Sequence, residues 1–198
     1  MTPQDFRELL KSAEAEQIVE DIVLGGAAQH VAAEDLEFIH RAIAEKFSVL
    51  VEEVEIYIVG SAKLGFSISE KNKNGKILPR YRLFSPDSDI DIAVICPKIF
   101  EMIWYELSSY AHFNTYLPWD SGKVGDYLVC GWLRLDKLPH RIRMRRWDDW
   151  RDCFRHVSAA PRFKSRSVTG GLFYSKDFLK QYQLRSVKEC QLLEERNI

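Results

Sequence analysis

Hydrophobic and polar positions along the chain change period several times, and each change marks an element. Thr2-Pro3 followed by Asp5 is a helix start, with a capping hydroxyl, proline in the first turn and an acid beside it. Phe6, Leu9, Leu10 and Ala13, then Ile18 and Ile22, keep an approximate helical spacing until Gly25-Gly26. A second helix is expected over about 33–50, with Leu36, Ile39, Ile43, Phe47 and Leu50 on one face. The period then drops to two. Val54, Ile56 and Ile58 alternate with Glu53, Glu55 and Tyr57, a half-buried strand that runs into Gly60-Ser61. A polar loop rich in Lys, Asn and Gly follows at roughly 69–82, and the turn Ser85-Pro86-Asp87-Ser88 leads into a strand, Asp89–Ile95. Pro97 opens a helix carrying Phe100, Ile103, Trp104, Leu107 and Tyr110. Tyr127–Leu135 and Phe163–Thr169 read as further strands, the second ended by Gly170-Gly171, with a helical aromatic segment, Trp147–Phe154, between them. Ser175 is placed to cap a last helix with Leu179, Tyr182, Val187, Cys190 and Leu193 on its inward side.

Helices and strands alternating in this way predict an α+β (mixed α/β) fold: a mixed sheet flanked by helices, with helical additions at both ends. At 198 residues the chain suits one domain, with N-terminal helices over 1–50, a sheet core over 51–140 and a basic C-terminal part over 141–198.

Charge refines this picture. The formal net charge is -1, but residues 1–55 hold four basic and thirteen acidic residues, a net of -9, whereas residues 134–166 hold eleven basic and four acidic ones, a net of +7. A uniformly basic nucleic-acid coat is excluded; a polarised molecule is not. Arg141, Arg143 and Arg145 would share one face of a strand, and with Arg134, Arg162, Lys164 and Arg166 they make a candidate surface for RNA, DNA, a protein partner or the chain's own acidic helices. Tyr174 and Tyr182 are candidates for stacking on a base or for the core. Four scattered cysteines form no CxxC pair, so neither a zinc site nor a disulfide framework is expected; buried thiols in a reducing, cytoplasmic setting are. No apolar run reaches the ~20 residues of a membrane span, no secretory signal is visible, and the five histidines lack metal-ligand spacing.

The chemistry concentrates in two short motifs. Asp89 and Asp91, two apart on a strand, point to the same face. Two carboxylates held together repel each other unless a cation lies between them, and magnesium, a hard ion that also takes phosphate oxygens, answers that need. Gly60-Ser61, after the preceding strand, permits close backbone approach to a phosphate and offers a hydroxyl.

The pattern Val59-Gly60-Ser61, then Ser88-Asp89-Ile90-Asp91-Ile92-Ala93-Val94, resembles the DNA polymerase beta-like nucleotidyltransferase superfamily over about residues 54–95. The resemblance implies transfer of a nucleoside monophosphate from an NTP, with ATP the first expectation, to a hydroxyl or similar acceptor. Asp89 and Asp91 would hold one or two Mg2+ ions, Gly60 and Ser61 would contact the terminal phosphates, and Lys63 would add a phosphate contact. It also implies a third carboxylate on a neighbouring strand, for which Asp136, Asp126 or no residue at all are the alternatives; an absent third acid would mean weak chemistry. The Lys71, Lys73, Lys76, Arg80 and Arg82 loop would cover the phosphates or serve solubility. Small members of this superfamily suggest a toxin–antitoxin or phage-defence setting. The competing expectations are a catalytically weak module of the same fold that binds nucleic acid or a partner, and an antitoxin-like protein acting through its acidic helices.

Overall fold

A computed structural model describes residues 1–73, 75–135, 138 and 144–196, the side chain of Lys73 excepted. The fold is α+β, with a mixed four-stranded sheet between two groups of helices. In chain order the elements are α1 (Pro3–Ser12), α2 (Ala15–Ile18) continued by a π-helical turn (Val19–Val23), α3 (Ala33–Phe47), β1 (Glu55–Val59), α4 (Gly60–Leu64), β2 (Lys71–Lys73), β3 (Lys76–Leu78), β4 (Ile90–Ile95), α5 (Pro97–Phe113), α6 (Ser121–Val129), β5 (Trp132–Leu133), α7 (Arg145–Ala159), β6 (Val168–Phe173) and α8 (Lys176–Glu195). The sheet order is β1-β4-β6-β5, with β4 parallel to β6 and the other pairs antiparallel. β2 and β3 form a separate hairpin.

The start of α1 takes the expected form: the Thr2 hydroxyl accepts from the Asp5 N–H at 3.1 Å, and the Asp5 carboxylate accepts from the Thr2 N–H at 2.8 Å. The helix stops at Ser12, so the expected single N-terminal helix is two, because Ala13 adopts an extended conformation. Ser175 occupies the cap position of α8 without a capping side-chain bond.

Both faces of the sheet are covered, and the period-two alternation of β4 splits the core. Ile90, Ile92 and Val94 join Ile39, Ile43, Ile99, Ile103, Trp147 and Val157 from α3, α5 and α7. Ala93 and Ile95 join Phe6, Ile18, Leu64, Leu179 and Val187 from α1, α2, α4 and α8. Trp147, Trp150 and Phe154 are core residues of α7.

Three expectations about the C-terminal half change. Tyr127 lies in α6 rather than opening a strand, and the strand there is reduced to Trp132–Leu133. Arg145 begins α7 and so is not on a strand; Arg141 and Arg143 lie outside the described residues. Gly170 and Gly171 sit inside β6 rather than ending it. The Phe154 ring packs where a Cβ at Gly170 would lie, 2.2 Å from its nearest atom, and the Trp132 indole leaves only 2.9 Å at Gly171. The glycines admit aromatic rings onto both faces of the strand. Cys96, Cys153 and Cys190 are buried as expected, but Cys130 is exposed. Among the described residues no helix is long and apolar enough to cross a membrane.

Candidate nucleotide and metal site

Strand register assembles the site. Val59, Asp91 and Thr169 are direct partners across β1, β4 and β6, on the face toward α4 and α8. Asp89 comes two residues before Asp91, just after a tight turn. The Ser88 N–H bonds the Ser85 carbonyl at 3.0 Å, and the Ser88 hydroxyl accepts from the Ser85 N–H at 3.0 Å. The Ile90 N–H bonds the Ser167 carbonyl at 2.8 Å, which pins the start of β4 beside β6. Both carboxylates are exposed to solvent in a cavity of about 550 Å³.

Gly60 links β1 to α4 with φ +65, a left-handed conformation that favours glycine. A Cβ there would sit 3.4 Å from the Asp91 Oδ2, so the missing side chain keeps that carboxylate face open. The other oxygen, Oδ1, accepts a hydrogen bond from the Thr169 hydroxyl at 2.8 Å. Ser61 is half-buried in the cavity wall. Gly60, Ser61, Asp89 and Asp91, separated by up to 31 positions in sequence, therefore line one space.

Lys63 does not join them. It is 5% exposed, and its ammonium donates to the carbonyls of Gly25, Gly26 (2.6 Å) and Ala27 (3.4 Å), closing the loop after the π-helical turn. Burial pushes its pKa below the usual lysine value. The expected phosphate contact is thus a structural strut. Asp126 lies exposed on α6 and is not part of the cavity lining, and Asp136 lies outside the described residues. The position opposite Asp91 on the neighbouring strand is Thr169, a residue that the sequence pattern did not single out because the following Gly-Gly pair reads as a strand end. Among the described residues no group of three His, Cys, Asp or Glu side chains is placed to hold a metal.

The loop expected over the phosphates is only partly free to act there. Arg80 is held by Glu189 (2.6 Å), the Ile68 carbonyl (2.7 Å) and the Cys190 sulfur (3.4 Å). Arg82 donates to the Pro79 carbonyl at 2.7 Å, yet it lines the cavity together with Lys71. Trp132, Arg134, Tyr182 and Gln183 also line the cavity. The rest of the described basic stretch is dispersed. Arg162 bonds the Glu34 carbonyl and Asp35 and covers Phe38, and Arg166 covers Phe84. Part of the positive charge is thus spent on the chain's own acidic half.

No protein-family model, curated protein or solved structure matches the chain.

Proposed function

We propose that the chain is a magnesium-dependent nucleotidyltransferase that moves an NMP group from an NTP, ATP first among candidates, to an acceptor yet to be identified. The observation that carries this reading is the convergence of Asp89, Asp91, Gly60 and Ser61 on one cavity, with the Asp91 carboxylate facing the space that Gly60 leaves clear. The volume lies within the usual range for small-molecule sites. Hard carboxylate oxygens beside a phosphate-compatible Gly-Ser turn fit Mg2+. Asp89 and Asp91 would hold it, and its chemistry is to neutralise charge on the transferring phosphoryl group.

The chain's own residues do the positioning. Thr169 fixes the rotamer of Asp91 by bonding one oxygen, which orients the other toward Gly60. Ser61 offers a hydroxyl donor to a phosphate oxygen. Gly60 admits that phosphate close to the backbone.

A second reading, a nucleotide-binding module with weak chemistry, is favoured by β6, the strand next to β4, presenting Thr169 rather than an acid beside Asp91, since the superfamily resemblance implies a third acid on a neighbouring strand. One assay distinguishes them. Incubation with α-labelled ATP and magnesium is expected to transfer label to protein, RNA or small-molecule acceptors, and Asp89→Asn and Asp91→Asn are expected to abolish transfer. Magnesium-dependent ATP binding without transfer to any acceptor would favour the module. Transfer that survives both substitutions would refute the site.

A further inference from the structure

Two polar side chains of the cavity lining, one on α8 and one on β5, lack a hydrogen-bond partner. Gln183 is 6% exposed, on the inward face of α8 between Leu179 and Val187. Its amide makes no hydrogen bond among the described residues, although it lines the cavity. The other buried polar side chain on that face, Glu194, is fully engaged by Arg7 and Tyr81. The Nε1 of Trp132 is also sequestered from solvent with no partner. Its ring is fixed, stacked on Phe173 with centroids 5.6 Å apart and packed by Tyr182 at 4.5 Å and Tyr127 at 5.1 Å. The indole N–H is closed off, packed against Gly171 at 2.9 Å from the place of a Cβ, whereas the Gln183 amide faces the cavity, so the amide is the group that a ligand entering the cavity can pair.

We propose that the Gln183 amide reads the hydrogen-bonding edge of a nucleobase, and so sets the base preference of the nucleotide whose phosphates face Asp91. The inference rests on the nucleotidyltransferase reading above. The chemistry required of the ligand is specific. It must offer both an acceptor and a donor to a primary amide, and be flat enough to enter beside the rings. Tyr182, 41% exposed, supplies a ring on which such a ligand stacks. A glutamine amide meets these needs in a two-pronged pair with a base edge, as it does with adenine in nucleic-acid recognition. An apolar ligand would leave the amide unpaired, and a simple polyphosphate offers it acceptors without a donor.

The test is calorimetric binding of the four NTPs, each with magnesium, to the full chain and to Gln183→Leu, with melting of the free proteins alongside. Wild-type protein is expected to prefer one base. Gln183→Leu is expected to bind that NTP about tenfold more weakly and to lose the preference, while binding stays magnesium-dependent. Its melting temperature without ligand is expected to match or exceed that of wild type, because an unpaired buried amide has been replaced by a leucine of similar size. Unchanged base preference in Gln183→Leu would overturn this inference alone, as would a clear fall in its melting temperature, which would mean that the amide is paired within the fold. Failure of the wild-type protein to bind any NTP would instead overturn the nucleotidyltransferase reading on which the inference rests.

Discussion

Gly60→Ala separates a backbone cost from a site cost. At φ +65 an alanine pays about 1–2 kcal/mol for the left-handed conformation. About 0.4–1 kcal/mol of that is offset by the stiffer unfolded chain. The net, about 1 kcal/mol, lowers the melting temperature of a chain this size by about 2–4 °C. Gly26 provides a matched control, with φ +66 and no atom within 4 Å of its would-be Cβ, so Gly26→Ala carries the same backbone cost and leaves the cavity alone. At Gly60 the added methyl sits 3.4 Å from the Asp91 Oδ2, in ordinary contact, but it fills the space through which that oxygen would meet a metal–phosphate group. A tenfold loss of affinity at saturating nucleotide removes about 1.4 kcal/mol of ligand stabilisation. Scanning fluorimetry should therefore show similar shifts for the two free variants. With magnesium-ATP present the deficit should roughly double for Gly60→Ala only, and calorimetry should confirm the affinity loss. If both variants lose affinity equally, or if neither does, the space beside Asp91 is not where the ligand goes and the reasoning fails.

Further predictions follow from other parts of the molecule. Lys63→Met leaves the carbonyls of Gly25 and Gly26 without their buried donor, and is expected to cost about 2–3 kcal/mol in chemical denaturation with magnesium-ATP affinity unchanged; a selective affinity loss would return Lys63 to the phosphates. Glu194 has its pKa held below 4.5, chiefly by the hydrogen bonds from Arg7. The sign is that of a lowered carboxylate: its contribution, about 2 kcal/mol, is full above pH 4.5 and is lost as pH falls through the lowered folded value. The stability gap between wild type and Glu194→Gln should therefore hold near neutral pH and close in acid, as urea melts across that range will measure. Thr169→Asp sets a third carboxylate beside Asp91, and should cost about 1 kcal/mol of charge repulsion without metal, seen as a lower melting temperature. Added magnesium should reverse that loss by more than it stabilises wild type; a magnesium-independent effect would count against a metal at Asp91.

How much of this was legible in the sequence depends on whether a signal is local or comes from packing. The β1–Gly60–Ser61 junction and the Asp89–Ile95 strand were readable because alternation and turn chemistry are local, and register then brought Asp91 beside Gly60. Lys63 was misread because nothing in its neighbours shows that the Gly25-Gly26 loop, 37 residues away, comes back to take its ammonium. Thr169 and the glycines after it were read as a strand ending, because paired glycines weaken strands in isolation; the rings of Phe154 and Trp132 that repay them come from α7 and β5. On α8 the helical period placed Tyr182 inward, whereas Gln183 takes that position and Tyr182 remains partly exposed at the cavity. A glutamine in an apolar stripe was the available signal.

The charge polarity acquires a role through α8. Glu16 and Glu20 near the N-terminus pair with Lys188 (3.0 Å) and Lys180 (2.6 Å), and Arg7 pairs with Glu194 (2.9 Å), so three ion pairs tie the N-terminal helices to the helix that carries Tyr182 and Gln183. Exposed pairs are worth little individually, and the apolar contacts of Phe6, Ile18, Leu179 and Val187 supply most of the adhesion. Beneath α8, the partners Ala93 and Gly171 are small, and that row adjoins Asp91 and Thr169. At Gly171 the Trp132 indole takes the place of a side chain and becomes part of the cavity wall. The cavity therefore lies where small sheet residues face a helix held mainly by apolar contacts, and on the proposed reading it is there that the two carboxylates would meet a nucleotide.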